Sequence, residues 1–414
     1  MADSRKPVLN RREFIKRGAL AGIGAGLIPL SEAVAAIPPS GPPEVRRYSQ
    51  LGRTGLKISD ISFGGSRLRS GQEDIVLHAY DRGINYFDSA ETYTDSESET
   101  TIGNALRGKR DKVFLTSKVI TSPTDTRDMM MRALDGSLRR LQTDHVDVYF
   151  NHAVNDVARL KNPEWHEFTA TARKQGKVRF VGMSGHAGHL IECLDYALDT
   201  DSVDAFLAAY NFGQDPKFYQ RFFGGFDFVA RQPDLPRVLA KAKQKNVGTV
   251  VMKTLMGARL NDMRPYENGD ATFPQAAFRW VLSNSNVDAL IVSMTSKEMI
   301  DEYLGASGWR TVAAGDMPLL KRYARLNGAS FCRHACDACE SSCPNDVPIA
   351  DVMRTRMYAE DYNDIRMARG EYTMLDRNAE ACLSCTAKPC AGACPHGVRI
   401  DALTAPTHRW LTST

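Results

Sequence analysis

Beyond its first 36 residues the chain has no run of about 18 apolar residues, the length a membrane helix needs, so the mature protein is expected to be soluble and not membrane-spanning. It also lacks a large excess of either charge: 53 Lys and Arg stand against 49 Asp and Glu, and the net +4 partly reflects a basic N-terminal region. Without a basic domain there is no electrostatic footprint for a nucleic-acid partner. No Gly-x-Gly-x-x-Gly follows the first strand-like segment, so the dinucleotide fingerprint of an open doubly wound sheet is missing. No flavin signature is found either. Cysteine, too, is nearly absent before residue 332: only Cys193 occurs there, inside the helical stretch HLIECLDYAL, as a buried core thiol would.

The remaining cysteines form two quartets, each closed by a Cys-Pro pair: Cys332, Cys336, Cys339, Cys343-Pro344 and Cys382, Cys385, Cys390, Cys394-Pro395. Iron–sulfur clusters want soft thiolate ligands, several from one tight turn and a fourth from elsewhere, often just before a proline. Two quartets therefore read as two [4Fe-4S] clusters. A disulfide framework and a zinc site are the competing readings, but eight cysteines with two Cys-Pro closures exceed what a four-ligand zinc site requires. The spacing resembles the bacterial ferredoxin run C-x2-C-x2-C-x3-C-P, with one departure in each quartet. The resemblance implies a crossed ligand pattern: Cys332, Cys336 and Cys339 with Cys394, and Cys382, Cys385 and Cys390 with Cys343. The helix-prone DVMRTRMYAEDYNDIRMARG between the quartets suggests the helical type of ferredoxin domain.

Near the N-terminus, Asn10-Arg11-Arg12-Glu13-Phe14-Ile15-Lys16 precedes the mildly apolar GALAGIGAGLIPL and the small-residue site Ala33-Val34-Ala35. The apolar run is too short and Gly-rich to span a bilayer, and the Arg pair followed by Phe is a twin-arginine export signature. That route carries folded proteins, so clusters can be inserted before export to the periplasm or beyond. Residues 1–36 read as signal peptide and 37–46 as a Pro-rich linker.

The rest has ordinary globular composition, 43% hydrophobic and 25% charged. Eight β-branched or aromatic runs, ISDISFGG, INYFDSA, KVFLTSKV, HVDVYFNH, VRFVGMSGH, DAFLAAYN, VGTVVMKT and DALIVSM, are mostly separated by amphipathic stretches such as RDMMMRALDGSLRRLQ and LPRVLAKAKQKN. Eight such units predict an α/β fold, a (β/α)8 TIM barrel over 47–312, followed by a small, mostly helical iron–sulfur domain over 313–414.

In such a barrel the chemistry sits at the carboxyl ends of the strands. Asp88 ends the second strand, Tyr93 follows it, Lys118 ends the third and His152 the fourth. Here the chain resembles the aldo/keto reductases, over roughly residues 47–305, through YSQLGRTGLKISDISFGG, GINYFDSAETYTDSESETTIGNALRG, VFLTSK, Asp147-Val-Tyr-Phe-Asn-His152 and VGMSGH. All four members of that family's Asp-Tyr-Lys-His tetrad are present at matching positions. The chemistry fits independently: reducing a carbonyl by hydride builds negative charge on oxygen, which a positioned acid must neutralise. A free Tyr, with pKa about 10, is expected to be lowered by an adjacent ammonium from Lys118, held by Asp88, with His152 bonding the substrate oxygen. The resemblance further implies a nicotinamide stacked on Tyr210, its amide near Ser184, and Lys297 as the candidate contact to the 2′-phosphate of NADP(H).

Hydride carries two electrons and each cluster accepts one, so exchange between them normally needs a flavin or quinone. Three expectations follow: an exported reductase of carbonyl or quinone-type compounds whose clusters relay electrons to a redox partner protein, a reductase whose clusters are structural or sensory, and an electron-transfer or binding subunit whose barrel no longer uses nicotinamide.

Overall fold

The computed structural model describes residues 41–214, 234–255, 263–267, 269, 271–327, 332, 336–360 and 364–413. The export signal lies outside the described residues, as do the segment GARL at 257–260 and most of the aromatic and basic stretch FGQDPKFYQRFFGGFDFVARQPD at 212–234.

A short antiparallel hairpin, β1 (Tyr48–Gln50) and β2 (Lys57–Ser59), comes first. Eight parallel strands then close a barrel in chain order: β3 (Ile61–Gly64), β4 (Tyr86–Asp88), β5 (Phe114–Val119), β6 (Val146–Asn151), β7 (Val178–Gly185), β8 (Ala205–Ala209), β9 (Gly248–Met252) and β10 (Ala289–Ser293), which pairs with β3. The connecting helices are α1 (Glu73–Asp81), α2 (Glu97–Ala105), α3 (Arg127–Leu141), α4 (Val157–Lys161), α5 (Pro163–Lys174), α6 (Leu190–Asp199), α7 (Leu235–Gln244), α8 (Phe273–Leu282), α9 (Lys297–Leu304) and α10 (Asp316–Asn327). The C-terminal region adds α11 (Ile349–Glu360), α12 (Ile365–Thr373) and α13 (Ile400–Thr412), with short 3₁₀ turns between them.

Each strand follows the period of two. Val148 and Phe150 face the barrel interior with Tyr86, Leu207, Val250 and Ile291, while Tyr149, Phe206 and Ala208 face the helices. The helices are set by local signals. The Thr126 side chain accepts from Met129 N–H at the start of α3, and Thr272 and Gln275 form a capping box at α8, where Pro274 sits in the first turn. One glycine is demanded by packing: a Cβ on Gly182 would lie 2.0 Å from Ala205 O and 2.5 Å from the Phe150 ring.

Three boundaries differ from the sequence reading. ISDISFGG is not one strand: Ile58 and Ser59 pair back onto β1, and Asp60 breaks the run before β3. The hairpin plugs the amino-terminal mouth of the barrel, with Leu51, Leu56 and Ile58 joining the interior cluster and Arg53 N–H bonding Asn246 O at 2.6 Å. At the other end, α10, beyond the barrel boundary read from sequence, packs on the barrel. Tyr323 stacks on Phe273 at 4.1 Å and Asp316 pairs with Arg279 at 3.3 Å, both buried. The linker reading also stops short, because Val45 is buried and its N–H bonds Arg82 O. Among the described residues no helix is long and apolar enough to cross a membrane.

Candidate active site

The carboxyl ends of the strands open into a cavity of about 420 Å³ lined by Asp88, Tyr93, Lys118, His152 and Ser184 among others. β4 and β5 are hydrogen-bonded neighbours, which brings their ends together. Lys118 Nζ donates to Asp88 Oδ2 at 2.7 Å, to Ser89 O at 2.6 Å and, at 3.4 Å, to Tyr93 Oη. Lys118 and Asp88 are essentially inaccessible to solvent. His152 meets the Tyr93 ring edge-on, centroids 5.5 Å apart. Arg159 fixes the backbone beside it, donating to His152 O at 2.6 Å and Asn151 Oδ1 at 2.8 Å.

Tyr93 is presented by strained backbone. Thr94, Asp95 and Ser96 all have positive φ, at 51°, 56° and 71°. Non-glycine residues there cost roughly 1–2 kcal/mol each and persist only when the surroundings over-determine them. Here Thr94 Oγ1 donates to Leu68 O at 2.6 Å and accepts from Ser98 N–H at 3.1 Å, while Ser96 Oγ donates to Glu91 O at 2.7 Å.

Electrostatics corrects one expectation. The Tyr93 phenol is not lowered by Lys118; burial pushes it well above its usual value, and Asp88, Glu371 and Tyr358 add to the rise. The ammonium is neutralised by a carboxylate at 2.7 Å and stands farther from the phenol, so desolvation prevails. Tyr93 therefore keeps its proton at neutral pH, the state a proton donor to a developing oxyanion needs. His152 is pushed well below its usual value, first by burial and then by Lys118, Arg159, Lys253 and Arg354, so its imidazole is neutral. A neutral ring N–H is a hydrogen-bond donor to a carbonyl oxygen that does not compete for the transferred proton.

Beneath this loop, burial and the neighbouring Glu99 raise the Glu91 carboxyl from 4.5 to about 7, with Arg140 opposing. The unfolded chain releases this proton near pH 4.5 while the folded chain holds it to about pH 7, so the fold loses stability as pH rises across that window. Glu91→Gln should remove that loss. Denaturant midpoints at pH 5 and pH 8 should show the variant gaining on the wild type by about 1–2 kcal/mol at the higher pH, after allowance for partial exposure.

The implied cofactor residues divide. Ser184 lines the cavity, and its Oγ accepts from Ala153 N–H at 3.0 Å. Tyr210 is not among the residues that line it: its ring packs on Trp280 at 5.1 Å and its hydroxyl accepts from Asn284 at 2.9 Å, an arrangement that turns it away from the stacking role the resemblance implies. Lys297 begins α9 outside the cavity and pairs with Asp74 at 2.8 Å, while Thr295 and Met299 on either side of it do line the cavity. Residues that sequence reasoning missed include Lys253 at the end of β9 and Tyr358, Met367 and Glu371 from α11 and α12.

A second, smaller cavity is lined by Cys343, Cys382, Cys385 and Cys390 with Ile349 and Pro389. Cys339 lies within electrostatic reach of Cys336 and Cys394, and Cys336 Sγ is 3.8 Å from His396 Nε2. Among the described residues Cys193, Cys339, Cys343, Cys382, Cys385, Cys390 and Cys394 form no disulfide. Among the described residues no group of three or more His, Cys, Asp or Glu side chains forms a ready-made site for one metal ion. Burial raises the thiols of Cys382 and Cys390 and pushes Cys339 up to about 12. Cys193, inside α6, is fully buried and also pushed up to about 12, as an inert core thiol should be.

The eight-stranded parallel barrel thus carries these four polar side chains together at its carboxyl end. The Aldo/keto reductase family model matches residues 60–317, and the chain belongs to that family. It is similar to an uncharacterized oxidoreductase, YrpG, of Bacillus subtilis (34% identity over 169 residues, 35% of this chain and 51% of that one). It is also similar to a probable voltage-gated potassium channel subunit beta of Oryza sativa (35% over 121 residues, 26% and 37%). The chain thus spans about half the length, or less, of these curated relatives. Among solved structures, an aldo/keto reductase of Klebsiella pneumoniae in complex with NADP and acetate superposes with a TM-score of 0.53 (23% identity, 67% of this chain and 95% of that one). The holo form of a Bacillus halodurans aldo-keto reductase gives 0.52 (20%, 67% and 95%). These likenesses are of fold.

Proposed function

We propose that this chain is an exported reductase of carbonyl or quinone-type compounds that takes hydride from NADP(H) and carries two [4Fe-4S] clusters in its C-terminal region. The observation that carries the first part is the buried Asp88–Lys118 pair, with Lys118 Nζ 3.4 Å from Tyr93 Oη and the neutral His152 beside that phenol in one cavity. NADP is named in the structure of the Klebsiella relative, and the cavity here borders the amino-terminal turn of α9, a suitable place for phosphate oxygens. Bound nicotinamide would supply the hydride. Tyr93 supplies the proton, His152 orients the carbonyl, Ser184 lines the wall, and Asp88 keeps Lys118 in place.

For the clusters, the supporting observation is the gathering of Cys343 with Cys382, Cys385 and Cys390, and of Cys339 and Cys336 with Cys394; Cys332 would complete the second set. The thiols of Cys339, Cys382 and Cys390, driven up by burial and by neighbouring cysteines, need a cationic centre to become thiolates, and a cluster whose irons each take one thiolate meets that need without a single convergence point. Such clusters would carry single electrons to or from a partner protein. The protein purified anaerobically from the exported fraction should oxidise NADPH on addition of an aldehyde or quinone and contain iron and sulfide. Absence of both properties would reject the reading.

Export rests on Arg11 and Arg12. Replacing both by Lys should hold the precursor in the cytosol, because the signal is read as an address and not as bulk charge. Fractionation followed by immunoblotting measures this; unimpaired export of the variant would contradict it.

A further inference from the structure

The roof of the catalytic cavity is not built by the barrel. Tyr358 on α11 and Met367 and Glu371 on α12 line it together with Tyr93 and His152. The placement is anchored. Arg69 of the barrel pairs with Asp364 at 3.0 Å, and Arg366 with Glu97 at 3.6 Å. At the amino-terminal end of α11, Ile349 lines the four-thiol cavity, so one helix touches both sites.

Tyr358 is buried, and Lys253 Nζ donates to its hydroxyl at 3.0 Å. Arg354, one turn earlier on α11 and itself paired with Asp351 at 2.6 Å, lies close enough for its charge to act on the same phenol. Lys253 stands at the carboxyl end of a barrel strand with φ at 60°, a conformation that a lysine adopts only at a cost and that tends to mark sites of function. The cavity therefore holds two phenols, each beside a lysine: Tyr93 with Lys118, and Tyr358 with Lys253. A phenol whose oxygen accepts from cations is the stronger donor through its own hydrogen. The charges that act on His152, at the centre of the cavity, are those of the cations Lys118, Arg159, Lys253 and Arg354. Glu371 is the opposing charge on the roof, and its influence falls on Tyr93 and Tyr358.

We propose that the C-terminal region completes the substrate site, with Tyr358 and Lys253 binding a carboxylate of a substrate whose carbonyl lies at Tyr93 and His152. The inference rests on the carbonyl-reducing reading and narrows its substrate class to carbonyl compounds bearing a second, anionic oxygen group. A site built to bond a polar substituent discriminates strongly against analogues that lack it, whereas an apolar wall does not.

The test uses the full-length protein and a matched pair, 4-carboxybenzaldehyde and 4-methylbenzaldehyde. Wild type should favour the carboxylated aldehyde in kcat/KM by about 10-fold or more, the scale of a hydrogen bond to a charged group. Tyr358→Phe and Lys253→Met should each lower the preference for the carboxylated aldehyde, read as the ratio of the two kcat/KM values, by about 10-fold, chiefly through KM for that aldehyde. Equal losses on the two aldehydes, or no loss on either, would overturn the proposal. Calorimetric binding of 4-carboxybenzaldehyde without NADPH separates it from the reading beneath it. If wild type reduces neither aldehyde, the reductase reading fails, yet weaker binding to both variants than to wild type still upholds the carboxylate site, and unchanged binding rejects it.

Discussion

Replacing Tyr93 by Phe should lower NADPH-linked reduction of a simple aldehyde by about 10²- to 10⁴-fold, the usual cost of removing a positioned acid, while NADPH binding survives. The substitution keeps the ring and its edge-on contact with His152, centroids 5.5 Å apart, and deletes only the hydroxyl. Because burial holds the phenol protonated, no shift toward lower pH should rescue the variant, and the wild-type rate should be flat through neutral pH. Lys118→Met differs in kind. It leaves Asp88 as an uncompensated charge in a solvent-free site, so it should also destabilise the fold by about 3–5 kcal/mol, read from the denaturant midpoint. A Tyr93→Phe enzyme of undiminished rate would show that the proton comes from elsewhere.

The second large effect concerns iron. Two [4Fe-4S] clusters give about eight iron atoms per chain, and Cys382→Ser or Cys339→Ser should each remove about half. The loss should reach stability as well, because metal bound only by the folded chain stabilises it. It should also slacken the roof, since α11 runs from Ile349 at the four-thiol cavity to Tyr358 at the catalytic one. Cys193→Ser, deep in α6, should leave iron content alone. Elemental analysis and the visible spectrum read this directly; colourless protein with oxidised thiols would establish the disulfide alternative.

The eight barrel strands were legible because parallel strands buried on both faces are written as β-branched and aromatic runs, and each quoted run contains its strand. The gathering of Asp88, Lys118 and His152 at one rim was legible for a related reason, since topology alone carries them there. Three features were not. Tyr210 also sits at a strand end, but whether a ring turns inward or toward Trp280 depends on packing that no periodicity encodes. The direction in which the Tyr93 phenol moves depends on how closely Asp88 neutralises Lys118, a matter of distances. The roof joins Lys253 to Tyr358 across the fold, and the segment that holds Tyr358 reads in sequence only as helix.

The central claim is that hydride reaches a carbonyl carbon at this tetrad. Turnover of an aldehyde with NADPH bearing deuterium at the nicotinamide C4 tests it most directly, using each C4 stereoisomer in turn and analysing the alcohol by mass spectrometry and NMR. The account predicts that one of the two isomers places its deuterium on the carbinol carbon, and that Tyr93→Phe slows this transfer without abolishing NADPH binding. Alcohol free of deuterium from both isomers, or NADPH that neither binds nor is consumed, would contradict it.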